Sequence, residues 1–130
     1  MISFLSIKNF TIVKNAEISF NKGLNVMTGE SGSGKSIIVE AMNLALGSRA
    51  DSSYIQTGAD KAVIQMVAEY LNKEYVITRE ITGNGKNLCK INGEIVSLNQ
   101  LHQLACKIAD IHGQYDNQSN FIIRCKCIMY

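Results

Sequence analysis

Proline is absent from these 130 residues, and no apolar run approaches the length of a membrane span. A helix that crosses a bilayer needs roughly 20 predominantly apolar residues, so the sequence predicts no such span. The start of the chain, MISFLSIKNF, lacks the basic and apolar regions and the cleavage site of a secretion signal. We therefore predict a cytoplasmic location. The missing proline, beside plentiful Asn, Lys and Ile, indicates a compositional bias rather than a function.

The spacing of cysteine and histidine argues against a structural zinc site. The four cysteines include no C-x-x-C pair, and neither histidine stands at a zinc-like distance from them. We predict isolated reduced thiols. These residues are Cys89, Cys106, Cys125, Cys127, His102 and His112.

Charge is also sparse. Charged residues make up 18% of the chain, the net charge is +2, and the charges are scattered. No basic patch therefore points to nucleic acid or to an anionic membrane. With 46% hydrophobic residues, the chain has the size and composition of one globular domain with a real core.

Hydrophobic periodicity predicts a mixed order of strands and helices. Alternation of period two predicts strands at residues 16–20 and 62–70, and strands are also predicted at 2–8, 24–28 and 74–81. Helical spacing predicts one helix at 36–46, ending at Gly47, and another at 98–109. The segments 47–60 and 110–118 are polar and are predicted to be loops, the second after a short apolar entry.

Two local signals between these predicted helices indicate a hairpin turn and the start of the second helix. Asn92 and Gly93 predict a tight hairpin within residues 89–96, so the neighbouring strands should pair antiparallel. Ser97 followed by Gln100 matches a capping box, which predicts the start of the second helix.

A glycine-rich segment lies between the predicted strand 24–28 and the predicted helix 36–46. It reads GESGSGKS and matches the pattern G-x-x-x-x-G-K-[ST]. A strand before it and a helix after it are the setting in which such a loop binds nucleotide phosphates. We predict that the whole segment binds phosphate. Its residues are Gly29, Glu30, Ser31, Gly32, Ser33, Gly34, Lys35 and Ser36.

The residue types suit this chemistry. Successive backbone N–H groups surround a phosphate chain only in conformations that side chains obstruct, which is why glycine is needed. The helix start adds unpaired N–H groups and the positive end of its dipole. Lys35 would reach the β- and γ-phosphates, and the Ser36 hydroxyl would bind Mg²⁺. The alternative is a glycine-rich turn with an exposed lysine. The pattern alone does not choose among GTPases, nucleotide kinases and ATPases.

Longer stretches carry a family resemblance. FLSIKNFTIVKNAEISFNKGLNVMTGESGSGKSIIVEAMNLALGSRA resembles the amino-terminal part of the RecN family, bacterial DNA repair ATPases related to SMC proteins. INGEIVSLNQLHQLACKIADIHGQYDNQ is similar to the same family, so the resemblance spans residues 2–118. It implies an α/β fold, the amino-terminal lobe of an ABC-type P-loop ATPase head with a mixed sheet and an antiparallel β subdomain. ATP and Mg²⁺ are the implied cofactors.

The resemblance also implies roles for residues outside the glycine-rich segment. Gln114 matches the glutamine of the family's Q-loop, which contacts Mg²⁺ and the attacking water, so Lys35 and Gln114 would form a partial catalytic site. The alternative for Gln114 is a solvated loop residue. Arg49 matches an arginine that relatives use near nucleotide or DNA, with a surface arginine as the alternative. His112 either orients the loop or is a structural histidine.

The chain also departs from the family. Residues 1–118 correspond to an incomplete lobe, and residues 119–130 are predicted to be a divergent tail from a truncation or a frame shift, with a natural short protein as the alternative. Relatives carry the signature motif, the acidic Mg²⁺-binding strand end and the water-positioning glutamate in a second lobe, and none of these is found here. We therefore expect nucleotide binding with hydrolysis near background.

The implied partners follow from the same resemblance. They are the missing carboxy-terminal lobe, a second head in a homodimer, and DNA contacted through the full-length relative, with no membrane. Two other classes stay open. A small P-loop kinase or GTPase would need an acceptor site or an N-K-x-D motif, and the latter is not found. A non-catalytic interaction or DNA-binding module is the third possibility, and the scattered charge is weak evidence against DNA binding by this chain alone.

Overall fold

The computed structural model describes residues 1–29, 34–113 and 121–125, with residues 110–113 and 121–125 described by their backbone only. Eight strands, two α-helices and one short 3₁₀ helix occur in this part of the chain. Neither α-helix has the length and apolar character needed to cross a membrane. The strands are β1 (Ile2–Phe10), β2 (Val13–Ser19), β3 (Lys61–Tyr70), β4 (Lys73–Thr82), β5 (Asn87–Ile91), β6 (Glu94–Val96), β7 (Ala109–Gly113) and β8 (Phe121–Cys125). The helices are α1 (Lys35–Ala45), the 3₁₀ turn Ser52–Tyr54, and α2 (Leu98–Ile108).

Six strands form one sheet in the order β2-β1-β3-β4-β5-β6, and β7 pairs with β8 separately. All pairings among the described strands are antiparallel. The predicted antiparallel subdomain is confirmed, whereas the parallel part of the predicted mixed sheet is not among the described residues. Helix α1 contacts β1, β3 and β4, and α2 contacts β3 and β5.

The core lies between the six-stranded sheet and the two helices. Alternate residues of the central strands are buried, as the period-two pattern predicts. Across β1, β3 and β4 the pairing places Ile7 opposite Ile64 and Ile64 opposite Arg79. The buried face of α1 supplies Ala41, Met42, Leu44 and Ala45.

Two local predictions of turns and caps are confirmed. Asn92 and Gly93 connect β5 to β6 with φ angles of 51° and 83°, the double positive φ of a tight hairpin. The Asn92 side-chain oxygen also accepts a hydrogen bond of 2.8 Å from the Val76 N–H. At the start of α2, the Gln100 N–H donates to the Ser97 hydroxyl, while the Gln100 side chain accepts from the Ser97 N–H. This reciprocal pair is a capping box.

The strand predicted at residues 24–28 is wrong, because this segment has no strand pairing in the described part of the chain. The Asn25 side chain instead bonds the Asn21 backbone at both N–H (2.9 Å) and C=O (2.7 Å), which closes a local turn. Leu24 and Val26 are 90% and 72% exposed. An apolar segment becomes a strand only when another strand supplies its hydrogen bonds.

The loop predicted at 110–118 also begins differently. Residues 109–113 form β7, with Ala109 opposite Cys125 and Gly113 opposite Phe121. The partner strand β8 lies in the stretch predicted to be a divergent tail, whose sequence shows no alternation typical of a half-buried strand. The predicted boundary at residue 118 lies outside the described residues.

Candidate nucleotide-binding site

The amino-terminal end of α1 leaves backbone N–H groups without acceptors in the helix. Gly34 is the N-cap residue, with φ 100° and ψ −4°, and the first intrahelical bond runs from the Ile38 N–H to the Gly34 carbonyl at 3.2 Å. The amides of Lys35, Ser36 and Ile37 therefore have no acceptor within the helix. Among the described residues no side chain caps this end, and the first turn contains no acidic residue. Free N–H groups at the positive end of a helix dipole attract a negatively charged group.

Gly34 occupies a conformation that other residues rarely adopt. A Cβ atom built on it would meet no heavy atom within 4 Å. The glycine is therefore required by its φ angle and not by crowding. Since no described residue fills the space beside Gly34, the described residues fit the phosphate group that the sequence predicts here.

The structure describes four of the predicted site residues. Gly34, Lys35 and Ser36 are consecutive at the start of α1, with Ser36 exposed and Lys35 half-buried, and Gly29 is exposed. Glu30, Ser31, Gly32 and Ser33 lie outside the described residues, as does Gln114. Their predicted contacts with phosphate and Mg²⁺ stay predictions.

The carboxyl-terminal end of α1 is held by its own turn and by an arginine from the sheet. The Gly47 and Ser48 N–H groups donate to the carbonyls of Leu44 and Asn43, both at 3.1 Å, and Gly47 has φ 103°. This is the Schellman pattern, and it confirms the predicted helix end. Arg79 Nη1 donates to the carbonyls of Leu44 and Ser48 at 2.5 and 2.9 Å.

Arg79 is almost completely buried, with 1% of its surface exposed. Burial lowers the pKa of its guanidinium, and the neighbouring Cys89 sulfur opposes that shift. No carboxylate within the described residues forms an ion pair with Arg79. Its positive charge instead faces two backbone carbonyls at the carboxyl-terminal end of α1, where the helix dipole is negative.

A cleft of about 390 Å³ opens beside this end of α1. Its walls include Arg49, Arg79, Asn87 and Ser97. Arg49 is exposed and lines this cleft, near the carboxyl-terminal end of α1 and away from Gly34. His112 lies in β7 opposite Ile122, and its side chain is not described.

The loop after α1 contacts α1 and the end of β1 through Tyr54. The Tyr54 ring stacks on Phe10, with centroids 5.3 Å apart and planes 8° from parallel. The Thr11 N–H donates to the Tyr54 carbonyl at 2.7 Å. A hydrogen bond with the Glu40 carboxylate of α1, with added effects of burial and of the charges of Glu40 and Asp51, raises the pKa of Tyr54 to about 12.

Comparison with known proteins places this architecture in a family. The family model described as AAA domain matches residues 5–126. The chain belongs to the AAA domain family. It is 38% identical to DNA repair protein RecN of Halalkalibacterium halodurans over 92% of this chain and 24% of that protein. It is also 38% identical to RecN of Bacillus subtilis, over 91% of this chain and 23% of that protein. The chain thus spans about a quarter of the length of these relatives, and the predicted RecN resemblance is confirmed.

A solved structure supports the fold. The SMC head domain from Thermotoga maritima superposes with a TM-score of 0.70 at 25% identity, covering 79% of this chain and 41% of that one. The predicted fold, the amino-terminal lobe of an ABC-type ATPase head, is confirmed by this likeness.

Sequence reasoning missed Arg79, Tyr54 and Glu40. For Arg79 a signal exists, because it stands two residues from both Ile77 and Ile81 and so falls on the buried face of β4. A buried arginine needs hydrogen-bond acceptors or an opposite charge, which marks it as a residue with a specific partner. No sequence signal joins Tyr54 to Glu40, since a tyrosine in a polar loop is ordinary.

Proposed function

We propose that this chain binds the phosphate groups of ATP with Mg²⁺, as the amino-terminal lobe of a RecN-like ATPase that acts in repair of DNA double-strand breaks. The helix start at Gly34 carries this proposal, because it offers an anion a helix dipole and amides without intrahelical acceptors, and the first turn of α1 contains no acidic side chain. The RecN relatives supply the biological context.

Individual roles follow from position. Gly29, Gly34 and the intervening residues 30–33 would wrap the phosphate chain with backbone amides. Lys35 would place its ammonium group on the β- and γ-phosphates, and Ser36 would bind Mg²⁺ with its exposed hydroxyl. Gln114 would add a second contact to Mg²⁺ and to the attacking water.

The assembly partners are part of the same proposal. A carboxy-terminal lobe would cover the apolar segment 24–27, and a second head would complete the ATP site across a homodimer. DNA would be contacted through the longer protein in the bacterial cytoplasm. Because the second lobe carries the remaining catalytic groups in relatives, steady-state hydrolysis by this chain should be near background.

The test is Mg²⁺-dependent binding of a fluorescent ATP analogue. Lys35→Ala should weaken binding by about tenfold or more, since a charged hydrogen bond contributes about 1.5–3 kcal/mol. Lys14→Ala, an exposed lysine on β2, is the matched control and should bind as the wild type does. Equal affinity in Lys35→Ala and wild type would refute the phosphate assignment.

The competing nucleotide classes are separated by competition with unlabelled nucleotides. Displacement by ATP but not by GTP is expected for the repair ATPase. A preference for GTP would favour the GTPase alternative, and phosphate transfer to a small acceptor would favour a kinase.

A further inference from the structure

The carboxyl-terminal end of α1, opposite to Gly34, is hydrogen-bonded to the sheet through the side chain of Arg79. Arg79 leaves the centre of β4 and donates to the carbonyls of Leu44, in the last turn of α1, and Ser48, just past its end. One nitrogen thus joins three pieces of chain: the sheet, the helix and the segment that leads into Arg49.

The hydrogen bonds of this side chain to Leu44 and Ser48 both come from one nitrogen, Nη1. Its Nε is buried and lacks a hydrogen-bond partner among the described residues, although a buried donor without a partner is costly. The guanidinium is therefore oriented to place Nη1 on the two carbonyls at the expense of Nε. This orientation aligns its positive charge with the negative end of the α1 dipole.

Helix α1 is expected to tilt as a rigid body. Eleven residues of α1 extend about 16 Å at 1.5 Å per residue. If the far end were released and the axis tilted by about 5° about the centre of the helix, the amides at the start of α1 would move by about 0.7 Å, which is half the helix length times the tilt angle. Hydrogen bonds to a phosphate lengthened by that amount would leave the useful range of 2.7–3.2 Å, roughly.

We propose that Arg79 is a positioning residue of the nucleotide site, which holds α1 against β4 so that its free amides meet the phosphates. The proposal rests on the proposed function, because the site it positions is the phosphate site at Gly34. Arg79 touches no part of that site itself. It acts through the helix, and the same contact fixes where the Arg49 segment begins.

The first measurement follows amide hydrogen exchange and does not need nucleotide. In Arg79→Met the Gly47 and Ser48 amides, which close the end of α1, should exchange about tenfold faster, because the carbonyls around them lose their charged donor. The Asn92 amide, bonded to the Val76 carbonyl at 2.8 Å in the hairpin, should be unchanged. Unchanged exchange at Gly47 and Ser48 would overturn the proposal.

The second measurement is affinity for the fluorescent ATP analogue. Arg79→Met should bind about five- to tenfold more weakly, as expected for misplaced charged hydrogen bonds, and Arg79→Lys should fall between it and the wild type. Ile77→Val and Ile77→Ala, on the same buried face of β4, are controls that bracket the loss of thermal stability. Equal affinity in the Arg79 and Ile77 variants of matched melting temperature would show a purely structural role.

Chemical rescue makes the test specific. The adjacent cleft gives access to the space that Arg79→Ala would vacate, so ethylguanidinium should restore affinity, while ethylammonium at the same ionic strength should not. Rescue by both salts alike would contradict the geometric role. If Arg79→Met does not fold, Arg79→Lys and the rescue decide the question. If the wild type itself binds no nucleotide, the proposed function fails and the positioning role fails with it, and the exchange data then show only whether Arg79 holds the end of α1.

Discussion

Replacing Gly34 by alanine separates backbone strain from loss of the phosphate site. At φ 100° an L-residue costs about 1–2 kcal/mol relative to glycine. No clash adds to this cost, because the new Cβ would have no neighbour within 4 Å. At about 2.1 cal/mol/K per residue, 130 residues have an unfolding entropy near 0.27 kcal/mol/K, so the melting temperature should fall by about 4–7 °C.

The loss of binding should exceed what this strain explains. Relief of the strain would turn the first amides of α1 away from the ligand, and the loss of one charged hydrogen bond is about tenfold in affinity or more. Gly85→Ala is the matched control, because Gly85 has φ 81°, also has open space where its Cβ would be, and lies in the β4–β5 turn.

The assay is calorimetric titration with Mg-ATP next to a thermal melt of each variant. We expect both variants to melt lower by similar amounts and only Gly34→Ala to bind weakly. Wild-type affinity in Gly34→Ala would refute the reasoning, since the left-handed residue would then be unnecessary. Weak binding in both variants would attribute the effect to global instability.

The other predictions concern the end of α1 and the loop after it. Gly47→Ala should lose about 2–4 kcal/mol of unfolding free energy in urea denaturation, more than Gly85→Ala. Residue 47 has φ 103°, and its new Cβ would also lie 3.1 Å from the His102 Cα. Equal losses in the two variants would show that the structure relieves this crowding. In an absorbance titration Tyr54 should ionise near pH 12, and Tyr54→Phe should remove that late step. Since the pKa of Tyr54 in the folded protein lies above the ordinary value of 10, its contact with Glu40 stabilises the fold below pH 10, and this effect is lost between pH 10 and 12. The unfolding free energies of wild type and Tyr54→Phe should therefore converge over that range. A constant difference between them would contradict the Glu40 contact.

Features determined by neighbouring residues were predictable from the sequence. The Asn92 and Gly93 hairpin and the Ser97 capping box depend on backbone angles and on side chains three residues apart, so their residue types carry the full signal. Gly47 is similar, because a glycine after an apolar helical run needs only its own φ angle to end the helix.

Features determined by distant partners were not predictable. The segment 24–28 has the composition of a strand, yet composition does not supply the neighbouring strand. Conversely, β8 lacks a strand pattern but pairs with β7 residue by residue. For Arg79 the alternation predicts the buried face, whereas its acceptors at Leu44 and Ser48 come from a helix more than 30 residues earlier.

The candidate site shows the same division. The glycine-rich pattern predicted the start of α1, because the backbone angles of Gly34 and the residues directly after it determine this helix end. The contact of Arg79 with the carboxyl-terminal end of α1 depends on tertiary packing, so no sequence motif predicts it.

Leu24, Val26 and Met27 are 90%, 72% and 40% exposed, and they lead directly into Gly29. A protein surface that sheltered these side chains would also restrain the entry to the proposed phosphate-binding segment. If docking there changes nucleotide affinity, nucleotide binding changes docking affinity by the same factor. A tight nucleotide would then act as an assembly signal, and assembly would in turn slow nucleotide release.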